Sequence, residues 1–143
     1  MKKILAIIGI VILILAGGLA VSYNGLAGSR ESVETAQADV DTMLQRRADL
    51  IPNLVSIVKS YAKHETEVFD KVLEARSQLM DAYTMEEKAE ADQQVESALN
   101  GLKVVVENYP ELKSDTTYVS LMDELSGSEN RISVARKDYN DAV

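Results

Sequence analysis

The chain has no cysteine and no tryptophan, and only one histidine, one phenylalanine, two prolines and seven glycines among its 143 residues. Without cysteine there is no disulfide, no Cys-ligated zinc, no iron–sulfur cluster, no thiol nucleophile and no lipid on an N-terminal cysteine. A single histidine excludes sites that need two, including di-iron bundle sites built on paired Glu-x-x-His motifs. No glycine- or serine-rich linker divides the chain, and its length fits one domain. Basic residues are also short: 15 Lys and Arg face 23 Asp and Glu, for a formal charge of −8. Lys2 and Lys3 are the only charges before Arg30, so the remainder sets 13 bases against 23 acids. A body that acidic argues against nucleic acid as a partner, because such binding rests on Lys and Arg neutralising phosphates.

What the chain has in abundance comes first. Residues 4–21 read ILAIIGIVILILAGGLAV, 18 residues without a polar side chain. At ~1.5 Å per residue they span ~27 Å, close to the ~30 Å hydrocarbon core of a bilayer. A secretory signal shares the basic start, and Gly18-Leu19-Ala20 is a passable cut site, but its apolar stretch is shorter, at ~7–15 residues. The reading is therefore an anchor over residues 1–22, meeting the lipid bilayer through residues 4–21, and a body over residues 23–143. The basic flank places the N-terminus in the cytoplasm and the acidic body on the outer, periplasmic or extracellular, side.

The body reads as helix nearly throughout. Apolar residues recur at three- and four-residue spacing: Val33, Ala36, Val40, Met43, then Leu50, Leu54, Ile57 and Tyr61, resuming at Val68, Val72, Ala75, Leu79 and Ala82. Arg47 interrupts this stripe. Pro52 interrupts the backbone, because it lacks the N–H that would meet the Ala48 carbonyl, and a kink or break is expected there. Thr84-Met85-Glu86-Glu87 matches a capping box that opens the next helix, whose seam is Ala91, Val95, Ala98, Leu102, Val105 and Tyr109. Pro110 ends it, and Ser114 or Asp115 caps a last helix with the seam Tyr118, Leu121, Leu125, Ser128, Ile132, Ala135 and Tyr139. The fold class is all-α: a single N-terminal transmembrane helix followed by an elongated antiparallel bundle of three long helices, or four if Pro52 breaks the first. Such a bundle exposes much side-chain surface, so a homo-oligomer is expected to complete its burial.

Candidate chemistry is sparse. His64 precedes Glu65 and Glu67, but Val68 stands where a His-Glu-x-x-His motif needs its second histidine, so His64 reads as a helix-surface residue. Glu86, Glu87, Glu90 and Asp92 fall in the first turns of a helix, where the dipole favours carboxylates over any cation-binding role. Arg46 and Asp49 are spaced to pair on one face. Arg47, on the apolar seam, calls for a carboxylate from a neighbouring helix. Gly25, Gly28 and Ser29 read as flexible residues beside the membrane, not as a nucleotide loop. No nucleophile–base–acid set can be assembled, so neither enzyme activity nor a metal or cofactor is expected.

The chain as a whole resembles the LemA family of bacterial envelope proteins. Arg46-Arg47-Ala48-Asp49-Leu50-Ile51-Pro52-Asn53-Leu54-Val55 is similar to that family's RRxDLIPNLV signature, followed by Lys59, Tyr61-Ala62 and His64-Glu65. Tyr23-Asn24 sits where the family has its YN, and Glu107 to Lys113, with Tyr109-Pro110, resembles its ExYPxLK turn. Glu129-Asn130-Arg131-Ile132 with Ala135-Arg136, and Tyr139-Asn140-Asp141-Ala142-Val143, resemble its ENRIxxAR and YNxAV runs. The chain departs at Ala36-Gln37-Ala38-Asp39, where members usually carry a bulky aromatic, and at Val143, past which they usually run on. The resemblance implies an anchor, an antiparallel helical bundle and a non-enzymatic, self-associating envelope protein. Physical chemistry gives these signature residues structural or interaction roles that need no catalysis: Pro52 setting the kink, Asn53 meeting the freed carbonyl, and Asn130, Arg131 and Arg136 bonding carboxylates on the helix of Arg46 and Asp49. A scaffold is the first expectation. An adaptor for a membrane protease or another envelope protein, working through Arg46, Asp49 and Asn53, is the second.

Overall fold

The structure, a computed structural model, describes residues 2–143; before residue 25 it describes the side chains of Gly9, Leu13, Leu15, Gly17, Gly18 and Tyr23 only. The chain is all-α among the described residues: α1 (Lys2–Tyr61), α2 (Thr66–Asp81), α3 (Met85–Val106), the single turn α4 (Pro110–Lys113) and α5 (Thr116–Ala142). The stretch expected to cross a bilayer falls mostly on side chains outside the described residues. Among the described residues no helix is long and apolar enough to cross a membrane.

Four long helices form an antiparallel bundle in which α1 packs most extensively on α5 and α2 on α3, with α2 also against α1. The buried seam of α1 runs Val40, Leu44, Arg47, Ile51, Leu54 and Val58, an unbroken 3-4 repeat. Arg47 therefore belongs to the seam it was expected to interrupt. Opposite it stand Val72 and Leu79 of α2, Val95 and Leu102 of α3, and Leu125 and Ile132 of α5. Fully burying each such side chain contributes about 1.5–3 kcal/mol. The expected seams of α2, α3 and α5 are largely those observed, with Phe69, Leu99 and Val106 added.

The first helix does not break at Pro52. It runs through the proline, whose ring lies on the exposed face, and ends instead at Tyr61. Ala62 to Glu65 make the reversal, with Glu65 N–H donating to the Ala62 carbonyl at 3.2 Å. Lys63, His64 and Glu65 supply no apolar residue to continue the stripe, and Ala62, fully buried, fixes the exit. His64 is thus an exposed turn residue and not a helix-surface one. Gly25, Gly28 and Ser29 lie inside α1, where Ser32 Oγ donates back to the Gly28 carbonyl.

The other termini follow their local chemistry. Thr84 Oγ1 accepts from Glu87 N–H at 3.1 Å while Glu87 Oε2 accepts from the Tyr83 and Thr84 N–H groups, both at 2.9 Å, completing the capping box. Asp115 Oδ1 caps α5 by accepting from Thr117 and Tyr118 N–H, and its Oδ2 accepts from the Tyr61 hydroxyl at 3.1 Å, tying the end of α1 to the start of α5. Pro110 opens α4 at a position where no N–H is needed.

Candidate functional site

Helical geometry splits the signature segment 46–53 of α1 in two. Arg47, Ala48 and Ile51 face the core; Arg46, Asp49, Pro52 and Asn53 face solvent.

Inside, Arg47 is 2% exposed and its Nη1 donates to Asp92 Oδ1 of α3 at 2.7 Å. This is the carboxylate from a neighbouring helix that the sequence called for. Burial pushes the Asp92 carboxyl above the usual carboxylate range. The pull of Arg47 and Arg136 toward the ionised form is the lesser effect, and Glu129 adds to the rise. Arg47 Nε is buried without a partner, so the pair is held by one hydrogen bond and not by a two-pronged fork. One turn earlier, Lys88 of α3 bonds Asp41 of α1. Together these fix α3 on α1 in parallel register.

Beside the pair, Arg76 Nε of α2 donates to the Ala48 carbonyl at 2.8 Å. Ala48 is the residue whose carbonyl Pro52 cannot meet. A proline inside a helix costs ~3 kcal/mol, and here part of that loss is offset by an arginine from the next helix. The expectation that Asn53 would fill this role is corrected: Asn53 points outward.

Outside, Asp49 accepts from Gln45 Nε2 at 2.9 Å rather than pairing with Arg46. Arg46 and Asn53 are exposed, with Pro52 between them in sequence. The expected bonds from residues 130–136 to α1 carboxylates are also corrected. Arg131 folds over its own helix, 3.3 Å from where a Cβ on Gly127 would stand, and Arg136 acts on Asp92 of α3. Asn130 and Asn140 are exposed, while Tyr109 and Tyr139 are half-buried against the core. Tyr23 is exposed; the Asn24 side chain lies outside the described residues. Glu87 is spent on its cap, and among the described residues no three His, Asp or Glu side chains converge as a metal site would need.

Sequence reasoning missed Arg76 and assigned Asp92 to the helix start, whereas Asp92 is buried against Arg47. Each sits one residue beyond a seam alanine, Ala91 and Ala75, and that adjacency was the available signal.

The family model described as "LemA family" matches residues 36–143, which takes in both faces of this segment and the α4 turn. The chain belongs to the LemA family. Among curated LemA-family relatives it is similar to "Magnetosome protein MamQ 2" of Paramagnetospirillum magneticum, at 27% identity over 87% of this chain and 56% of that protein. "Magnetosome protein MamQ" of Magnetospirillum gryphiswaldense is 25% identical over 85% of this chain and 54% of its own length. "Protein LemA" of Metamycoplasma hominis is 24% identical over 82% and 54%. The chain spans about half the length of the curated relatives it matches.

Proposed function

We propose that this LemA-family chain is a membrane-anchored, non-enzymatic envelope protein that works as a self-associating scaffold. The observation that carries the reading is α1. One helix leads from the apolar stretch at 4–21 into the bundle, so anchor and body share a single rod. On this reading residues 4–21 cross the bilayer, Lys2 and Lys3 stay in the cytoplasm and the acidic bundle stands on the outer side. The polar groups of the interior support it: Arg47, Asp92 and Arg76 are spent on joining helices. The size of the intact protein in mild detergent is the test. A particle of several copies is expected, and a strictly monomeric one at micromolar concentration sinks the reading.

The outward half of the signature favours a second reading, an adaptor for another envelope protein. Arg46 and Asn53 are exposed and make no hydrogen bond that the bundle needs. Cross-linking in cells from a photoreactive residue at Asn53 should then capture a protein other than the chain itself; recovery of self alone ends this reading.

A further inference from the structure

We propose that the trough between α2 and α3, on the solvent side of that hairpin, is the surface on which a second copy of this chain packs, about a two-fold axis that lays α2 of each copy on α3 of the other. The inference rests on the self-association proposed above and names its surface.

The trough is open and holds about 520 Å³. Its floor is small and apolar, with Val68 and Ala75 from α2 and Ala98 from α3. Its two rims differ. The α2 rim carries Lys71 and Glu74; the α3 rim carries Gln94, Ser97 and Gly101 and no charge. A two-fold axis running along the trough, parallel to its helices, sets α2 of each copy against α3 of the other. Lys71 and Glu74 of one copy then meet the uncharged rim of the other, and neither meets its like. The strip sums to zero charge in a chain of −8. Two other grooves along the bundle are net acidic and would repel a second copy. The groove between α1 and the end of α5 carries Glu31, Asp39 and Asp138 with no base, and that between α3 and α5 sets four acids against two bases.

Gly101 points the same way from a different direction. It lies inside α3, where glycine weakens a helix relative to alanine, and a Cβ built on it meets nothing within 4 Å of its own chain. The bundle has no use for the missing side chain, whereas a second helix could approach its backbone closely. One turn on, Val104 is 68% exposed with nothing covering it. The trough from 68 to 78 is only ~16 Å long, so the contact is weak between free copies and strengthened when both are held in one membrane.

The absence of cysteine makes the test clean. In the full chain in vesicles, Ser97→Cys is the sole thiol and should give a dimer with a short bis-maleimide, while Ser120→Cys on α5 should not. Gly101→Arg should lower the oligomer at least tenfold without lowering the urea midpoint, since the added side chain enters open space and favours the helix more than glycine does. Ser97→Glu, which sets a carboxylate against the partner's Glu74, should do the same. An oligomer unchanged by both substitutions, with Ser97→Cys uncross-linked, overturns this surface and leaves the scaffold standing. A monomer at every concentration overturns both. Capture at Ser97 of another protein with no self product overturns the second copy as occupant.

Discussion

Arg76 and Pro52 are a pair linked through the Ala48 carbonyl. One removes a donor from the Ala48 carbonyl and the other supplies it from the next helix. A double-mutant cycle reads this directly. Arg76→Met should destabilise by about 1.5–3 kcal/mol, the range for a hydrogen bond with a charged donor. In a Pro52→Ala background, where residue 52 regains its N–H, the same change should cost clearly less, as followed by urea unfolding. Equal losses in both backgrounds would mean that Arg76 acts by packing alone. The Arg47–Asp92 pair has a different signature. Removing Asp92 strands a buried guanidinium already short of one partner, and Asp92→Ala should cost about 3–5 kcal/mol. Replacing both by Met and Leu should leave the urea midpoint near or above the parent's, because the shared desolvation disappears with them. At this scale the sequence was half legible. That Arg47 needed a carboxylate followed from its place on the seam. Which carboxylate did not, since this depends on how α3 is rotated against α1.

The caps set the pH behaviour of the elements. Backbone N–H groups of Thr84 and Tyr83 hold Glu87 below the usual carboxylate range, and that of Tyr118 does most to hold Asp115 below it. In both, the folded state binds its proton less readily than the unfolded chain. Their stabilisation is present above the ordinary carboxylate values of ~4.3 and ~3.9 and lost as pH falls through the lower, folded ones. Asp92, pushed up by burial, has the opposite sign: its contribution is present in acid and lost as pH rises through its folded value. Urea midpoints measured from neutral pH to pH 2 should therefore fall less steeply for Glu87→Gln than for the parent, and more steeply for Asp92→Asn. Helix starts were the most legible elements, because Thr84–Glu87 and Asp115 are local chemistry. The end of α1 was not. It uses neither glycine nor proline, and its only trace was the apolar gap from Lys63 to Glu65. Pro52 drew attention to the wrong place because its missing bond is restored from 28 residues away.

At the scale of the molecule, α1 leaves the bundle without a joint. Residues 25–32 are exposed and helical, and they lead straight into the seam at Ala36. The angular phase of whatever precedes residue 25 is thereby locked to the phase of the bundle. A flexible linker would absorb an added residue. Here each one turns the bundle by about 100° and lifts it ~1.5 Å. On the anchored-dimer reading proposed above, inserting one to seven alanines after Arg30 should make dimer cross-linking rise and fall with the helical repeat. It should be lowest after two residues and regained after four and seven, which return to within about 40° and 20° of the starting phase. A smooth decline with length would mean that the rod yields. A true oscillation would make residues 25–35 a gear tooth whose count, more than its side chains, is under constraint.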